Sequence, residues 1–344
     1  MNRSRLPFPD ILKGIAVMLM IQVHLMEQFA TKELFDSLLG NISLFLGGPP
    51  AAPVFMAVMG YFLARSKMGF RQHIIRGLRL IGIGFLLNIG MNLHLLIRIV
   101  TGISHQNPWP FIFGVDILFL AGIGIIVMAM IRLVLKNKII AYTLLIILVL
   151  LVGQILPIYN GPNEWIKYFH AYFWGDYYWS YFPLFPWLAY PLTGFLFYIT
   201  DEKYNLTGLS SKGQSYILTI AFLIIAVTFG FGFKISGTLP LYYHHSLIFY
   251  FWVLLFLIFW VLTLGYFFHS GEKALASDYF KWVGKNVTAF YVVQWLITGN
   301  LATILYKSQN ILALVLWFAA ILAATSLIVL TWQKMKSRIS ALRN

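Results

Sequence analysis

The chain has 344 residues, of which 60% are hydrophobic and only 10% are charged, and its mean hydropathy is +0.79. This composition excludes a soluble globular protein and indicates a polytopic membrane protein. The net charge of +14 is not concentrated in a basic soluble module, so the composition also excludes a nucleic-acid partner. The chain has no cysteine, which excludes disulfides, thiolate catalysis and cysteine-ligated metals. We expect no metal cofactor.

Hydropathy, interrupted by clusters of proline, glycine and charged residues, predicts an all-α protein with about ten transmembrane helices. The predicted spans are 11–29, 44–64, 76–99, 114–134, 139–156, 184–199, 215–233, 248–268, 285–306 and 311–331. No long polar segment is left for a soluble domain, so we expect one transmembrane domain over residues 1–344. The first segment is interpreted as a retained span and not as a cleaved signal peptide.

The distribution of positive charge predicts the orientation of these spans. Ten spans place both termini on one side of the membrane, and the loops of that side hold all but five of the 25 Lys and Arg residues. The five on the other side are Lys32, Arg98, Lys167, Lys234 and Lys307. Because loops rich in Lys and Arg stay in the cytoplasm, we expect cytoplasmic termini. The compact layout favours a bacterial inner membrane.

The first predicted span carries ionisable residues at two depths. His24 follows Lys13 by eleven residues, which in an α-helix is about 16 Å of rise and a rotation of about 20° from the same face. An ionisable group near the middle of a bilayer is costly and indicates a functional site. Glu27, three residues after His24, could hydrogen-bond one ring nitrogen and leave the other free to act as a base.

A second carboxylate fits the same role. Asp116 opens the fourth predicted span from the extracytoplasmic side, within the segment GVDILFL. A carboxylate from another helix orients a histidine as well as one from the same helix does. The sequence therefore leaves open whether Glu27 or Asp116 orients His24.

Two arginines begin the third predicted span, in the segment RGLR at 76–79. Arg76 and Arg79 lie three residues apart and therefore project from neighbouring positions of a helix, where two guanidinium groups can grip phosphate oxygens. Such a pair is also a common topology signal that contacts lipid phosphates. Together with Lys13 at the same predicted membrane surface, the pair favours a site for a phosphorylated cytosolic ligand.

The longest predicted external loop, 157–183, is dense in aromatic residues. An interfacial belt at the lipid headgroups is one interpretation. A stacking platform for an external sugar, with Asp176 or Glu164 accepting hydroxyl hydrogen bonds, is the other. The residues concerned are Trp165, Tyr168, Phe169, Tyr172, Phe173, Trp174, Tyr177, Tyr178, Trp179, Tyr181 and Phe182.

Several of these motifs together resemble the transmembrane acyltransferase superfamily, which includes the acyltransferase-3 proteins and relatives of heparan-α-glucosaminide N-acetyltransferase. The resemblance rests on DILKGIAVMLMIQVH, which contains Lys13 and His24, followed by the R-x-x-R of Arg76 and Arg79. The segments 47–62 and 183–197 look more like the second branch. The segment 283–297 is similar to a late family segment but has Gln294 where histidine is common.

This resemblance implies a membrane-bound enzyme that takes an acetyl or other short acyl group from cytosolic acyl-CoA to an extracytoplasmic hydroxyl or amine, such as that of a glycan or amino sugar. It implies that His24 is the catalytic histidine, acting as base or as acyl carrier. Lys13, Arg76 and Arg79 would belong to the acyl-CoA side. Membrane lipids surround the protein, and its oligomeric state is open. The alternative is a proton-coupled transporter or lipid-carrier flippase in which His24, Glu27 and Asp116 relay protons.

Overall fold

The computed structural model describes residues 7–269 and 275–343, which form helices joined mostly by short connections. In chain order the α-helices are α1 (Pro7–Gln28), α2 (Lys32–Phe35), α3 (Leu38–Gly47), α4 (Ala52–Arg65), α5 (Phe70–Met91), α6 (Leu93–Val100), α7 (Trp109–Ile112), α8 (Ile117–Leu135), α9 (Ile139–Ile155), α10 (Glu164–Ala171), α11 (Leu184–Trp187), α12 (Ala189–Tyr204), α13 (Ser211–Ser236), α14 (Leu239–Tyr243), α15 (Leu247–His269), α16 (Leu275–Lys285), α17 (Val287–Leu305) and α18 (Ile311–Arg343). The predicted all-α fold class is confirmed.

Within the described ranges, eight helical segments are long and apolar enough to cross a membrane, which confirms a polytopic membrane protein. They are Phe8–Gln28, Leu38–Arg65, Phe70–Met91, Ile117–Leu135, Ser211–Ser236, Leu247–Phe268, Val287–Leu305 and Ile311–Ile339. Two of the ten predicted spans have no counterpart among these eight. The helix α9 is apolar but has only 17 residues. The segment 184–199 is divided between α11 and α12, and Phe185 has a non-helical backbone because the residue before a proline is driven out of the helical region.

The predicted third span, 76–99, is also broken, since α5 ends at Met91 and α6 begins at Leu93. Asn300 of α17 satisfies backbone groups at this break. Its Nδ2 donates to the carbonyl of Gly90 at 2.8 Å, and its Oδ1 accepts from the backbone N–H of His94 at 2.9 Å. Backbone groups freed in an apolar surrounding must find such partners. The break between α5 and α6 is therefore stabilised by the side chain of Asn300.

Contacts between Cα atoms divide the chain into two compact units. The first unit contains Met1–Gly47, Ile89–Gln106 and Phe267–Asn344, and the second contains Gly48–Asn88 and Asn107–Tyr266. The expectation of a single domain over 1–344 stays a prediction.

In the first unit, α1 packs on α3, α16, α17 and α18. Its closest approach is to α16. A methyl group on Gly14 would lie 2.1 Å from the backbone oxygen of Phe280, and one on Gly284 would lie 1.8 Å from the backbone oxygen of Asp10. Only glycine allows two helix backbones to touch in this way. The contact sets the depth and rotation of the helix that carries Lys13 and His24.

In the second unit, a similar close contact at glycine residues joins α4 and α12. A methyl group on Gly60 would lie 1.8 Å from the backbone oxygen of Pro191, and one on Gly194 would lie 1.8 Å from the backbone oxygen of Ala57. Small residues let membrane helices gain van der Waals contact where lipid offers no hydrophobic driving force. Close glycine contacts therefore organise both units.

Candidate active site

The side chain of His24 lies half-buried on α1 and contacts two consecutive residues of α17. Its Nδ1 is 3.3 Å from Oε1 of Gln294, whose side chain is almost fully buried. Its ring centroid is 4.0 Å from that of Trp295, and the two rings are tilted by 34°. The helix α17 therefore supplies both a polar and an aromatic neighbour for the histidine within the first unit.

The contact with Gln294 determines which ring nitrogen of His24 can act as a base. An amide oxygen only accepts hydrogen bonds, so with Oε1 facing it Nδ1 carries the ring proton and donates. The lone pair is then on Nε2, which makes no hydrogen bond to any residue that the structure describes. A neutral imidazole held at one nitrogen and free at the other is the arrangement of a general base.

Gln294 thus faces one ring nitrogen of His24, and the orienting role predicted for Glu27 or Asp116 stays a prediction. Glu27 lies one turn after His24 on α1 and interacts electrostatically with Lys307. The Lys307 ammonium stands 3.9 Å from the ring centroid of Phe35. Burial lowers the pKa of Lys307, while the charge of Glu27 raises it. Glu27 therefore lies near the positive charge of Lys307 at the end of α1.

Asp116 belongs to the second unit and caps α8. Its Oδ1 accepts hydrogen bonds from the backbone N–H groups of Leu118 at 2.8 Å and Phe119 at 3.4 Å, which have no partner inside the helix. Just before it, the side-chain amide of Asn88 donates to the carbonyls of Ile112 and Gly114 at 2.9 and 2.8 Å. An aspartate directly before an apolar helix is a helix-start signal, which would have identified this role from the sequence.

Lys13 is paired with a carboxylate on its own helix. Its Nζ lies 2.7 Å from Oδ1 of Asp10, whose side chain is 1% exposed. A buried carboxylate requires such a partner, because an isolated charge is costly to remove from water. The positive charge of Lys13 is therefore balanced at the N-terminal end of α1.

Arg76 and Arg79 line one pocket of about 380 Å³ at the surface of the second unit. The other lining residues are Met68, Gln72 and Ile75, so α5 contributes a single stripe at spacings of three and four residues. Both arginines are exposed. The structure thus brings Arg76 and Arg79 to one pocket whose size suits part of a small ligand.

The aromatic segment after α9 divides into buried and exposed residues. Tyr168 and Trp179 are buried in a cluster with Val115, Phe119 and Ala171, and they belong to the core of the second unit. Others remain at the surface, with exposures of 58% for Trp165, 69% for Phe169 and 71% for Tyr178. The belt and the sugar platform both stay predictions, and they now concern the exposed residues alone.

Fold and site together define a class of protein: a helical membrane protein with a histidine in its first span whose Nδ1 faces the side-chain amide of a late span. Among the described residues, no group of histidine and carboxylate side chains could hold a metal ion. The chain belongs to the acyltransferase-3 family, whose model, described as an acyltransferase domain, matches residues 6–333. No curated protein and no solved structure matches the chain. The match confirms the resemblance and indicates a membrane acyltransferase.

Proposed function

We propose that this protein transfers an acetyl or other short acyl group from cytosolic acyl-CoA to a hydroxyl or amine of an extracytoplasmic glycan or amino sugar. The Nε2 of His24 takes the proton of the acceptor group as that group attacks the carbonyl carbon of the thioester. The carbon–sulfur bond then breaks, and the proton passes from His24 to the departing CoA thiolate. In a two-step variant, His24 itself carries the acyl group between donor and acceptor.

One observation carries this proposal: the base geometry of His24 in a chain of the acyltransferase-3 family. Gln294 holds Nδ1, and Nε2 is left without a hydrogen bond in the described residues. An ionisable side chain within an apolar span is energetically costly, and its presence there therefore indicates a function. Acyl transfer to an oxygen or nitrogen requires a base of this kind.

The arginine pocket supports the choice of donor. Acyl-CoA carries several phosphate groups, and Arg76 and Arg79 offer paired guanidinium groups for phosphate oxygens. Lys13, although paired with Asp10, would contact a further phosphate oxygen through its remaining N–H donors at the start of α1. The pantetheine arm of CoA is roughly 15–20 Å long by extended-chain reasoning. This reach is close to the rise of about 16 Å between Lys13 and His24 on the continuous helix α1.

The experiment uses the purified full chain with acetyl-CoA and candidate sugars, and it measures release of free CoA together with formation of acylated sugar. We expect acceptor-stimulated release in the wild type and its loss in His24→Ala. His105→Ala is the matched control, because His105 is exposed on the connection after α6 and should leave the rate unchanged. Both variants should elute and melt like the wild type.

Two outcomes would contradict the proposal. Retained turnover in His24→Ala would remove the catalytic role of the histidine. Solute transport by reconstituted protein without any binding of CoA would favour the proton-coupled transporter or flippase instead.

A further inference from the structure

Three hydrogen-bond donors of α17, two of them on side chains that contact His24, are buried and have no partner among the described residues. They are Nε2 of Gln294, Nε1 of Trp295 and Oγ1 of Thr298. The side chains of Gln294 and Thr298 are 1% and 0% exposed. All three residues lie within five consecutive positions of α17, and the spacings of three and four residues to Thr298 place them on adjoining parts of one helix face.

Leaving a buried donor unpaired costs about 1–3 kcal/mol, so folded proteins rarely do so. Three such donors on a little more than one helical turn indicate a group that arrives from outside the chain. That group must accept hydrogen bonds, since Gln294 Nε2 and Trp295 Nε1 can only donate.

The group that accepts these hydrogen bonds should take part in the reaction at His24. Two of the three donors sit on side chains that contact the His24 ring, one through the hydrogen bond to Nδ1 and one through the ring contact. When a nucleophile attacks a thioester, the carbonyl oxygen takes up negative charge close to the base. Buried, preorganised donors stabilise such a charge more strongly than water does.

We propose that Gln294 and Trp295, with Thr298 one turn on, form the binding site for the acyl carbonyl oxygen. This inference rests on the proposed function and deepens it. Attack of the acceptor oxygen or nitrogen on the carbonyl carbon turns the carbonyl oxygen into an oxyanion, which accepts hydrogen bonds from Gln294 Nε2 and Trp295 Nε1. Collapse of the tetrahedral intermediate restores the carbonyl and expels the CoA sulfur. Gln294 therefore positions His24 through Oε1 and stabilises the oxyanion through Nε2.

The two roles proposed for Gln294, orienting His24 through Oε1 and binding the oxyanion through Nε2, can be tested separately. Gln294→Glu keeps an oxygen acceptor for Nδ1 of His24 but removes the donor. If Gln294 only orients the histidine, this variant keeps its turnover. If it also binds the oxyanion, kcat falls about 100- to 1,000-fold while KM for acyl-CoA changes little, as for the loss of one oxyanion donor.

Substitutions at two further positions keep the inference testable if the new carboxylate disturbs folding. Trp295→Phe retains an aromatic ring against His24 and loses only the N–H, so kcat should fall at least tenfold. Thr298→Val should lower kcat more than Thr298→Ser does, because serine keeps the hydroxyl. Thr325→Val is the matched control, because Thr325 of α18 is also 0% exposed with an unpartnered hydroxyl.

The outcomes separate the two proposals. Suppose that the wild type transfers acyl groups and that His24→Ala is inactive. Full kcat in Gln294→Glu and Trp295→Phe would then overturn the oxyanion site but not the proposed function. A wild type without acyl transfer would overturn both. Equal losses in Thr298→Val and Thr325→Val would also overturn the oxyanion site, since the effect would then follow from packing.

Discussion

The exposed guanidinium groups of Arg76 and Arg79 should bind the phosphates of acyl-CoA. The double variant Arg76→Ala and Arg79→Ala should weaken CoA binding about tenfold, because exposed charge contacts contribute about 1 kcal/mol each or less. Isothermal titration with CoA measures this change. Lys334→Ala with Lys336→Ala removes the same charge from the exposed end of α18 and should leave the affinity unchanged. Unchanged affinity in the arginine variant would disprove the phosphate role.

The carboxylate of Asp116 should matter for stability and not for chemistry. Asp116→Ala removes both capping hydrogen bonds and should cost about 1 kcal/mol. Asp116→Asn keeps an oxygen acceptor and should cost less. Melting temperatures in detergent and transfer rates measure the two effects separately. A loss of transfer in Asp116→Asn without a change in melting temperature would instead show that the charge takes part in the reaction.

His245 is buried in the second unit as a neutral ring. Its Nδ1 donates to the carbonyl of Tyr242 at 2.9 Å, and its Nε2 accepts from the hydroxyl of Tyr190 at 3.1 Å. Burial lowers the pKa of His245 to about 4, the bond to Tyr242 raises it, and the neighbouring His244 lowers it further. His245 therefore stays uncharged at neutral pH.

This depressed pKa predicts a loss of stability in acid. The unfolded chain takes up the proton near pH 6.5, whereas folded His245 takes it up only near pH 4. The free energy of unfolding should therefore fall as the pH drops from about 6.5 to 4, by up to about 3 kcal/mol. Melting temperatures of the wild type should decline more steeply between pH 7 and 4.5 than those of His245→Gln. Parallel profiles would contradict the prediction.

At the scale of elements, glycine contacts join α1 to α16 and α4 to α12. Gly284→Ala would drive a methyl group into the backbone of Asp10, and Gly194→Ala would do so at Ala57. Each variant should lose at least 1–3 kcal/mol of stability, because backbone cannot rearrange as a flexible side chain can. Gly82→Ala in α5 is the matched control. It meets nothing within 4 Å and should be neutral or slightly stabilising.

The glycine variants should also differ in activity. Gly284→Ala shifts the helix that carries His24, so we expect transfer to fall further than stability alone explains. A folded Gly284→Ala protein with a wild-type transfer rate would show that the position of α1 tolerates movement. Thermal melts in detergent and initial rates on the same preparations give both values.

At the scale of the whole molecule, the charge distribution predicts which loops face the cytoplasm. The chain has no cysteine, so single cysteines can be placed without removing others. Asn137 and Gln106 are both exposed, one on the connection between α8 and α9 and the other on the connection before α7. On intact cells, a membrane-impermeant maleimide should label Gln106→Cys but not Asn137→Cys. The reverse pattern would place the termini outside.

The sequence by itself determined the class of protein and the local geometry of its polar residues. Hydropathy predicted the spans because each side chain contributes its own free energy of transfer into lipid, whichever residues it later contacts. Helical periodicity placed Lys13 and His24 on one helix and brought Arg76 and Arg79 to one pocket, since neighbours three residues apart follow from the helix alone. The capping role of Asp116 was equally local, and the helix-start signal was present.

The tertiary structure decided which distant side chains meet. Gln294 is 270 positions from His24, and Asn300 is 210 positions from Gly90, so no periodicity links either pair. The partner of a buried polar atom depends on which helices pack together and at what depth. In this chain that depth is set in part by glycines that allow backbones to touch. For this reason helix packing, and not the local sequence, places an amide of α17 at Nδ1 of His24. The roles predicted for Glu27 and Asp116 stay predictions.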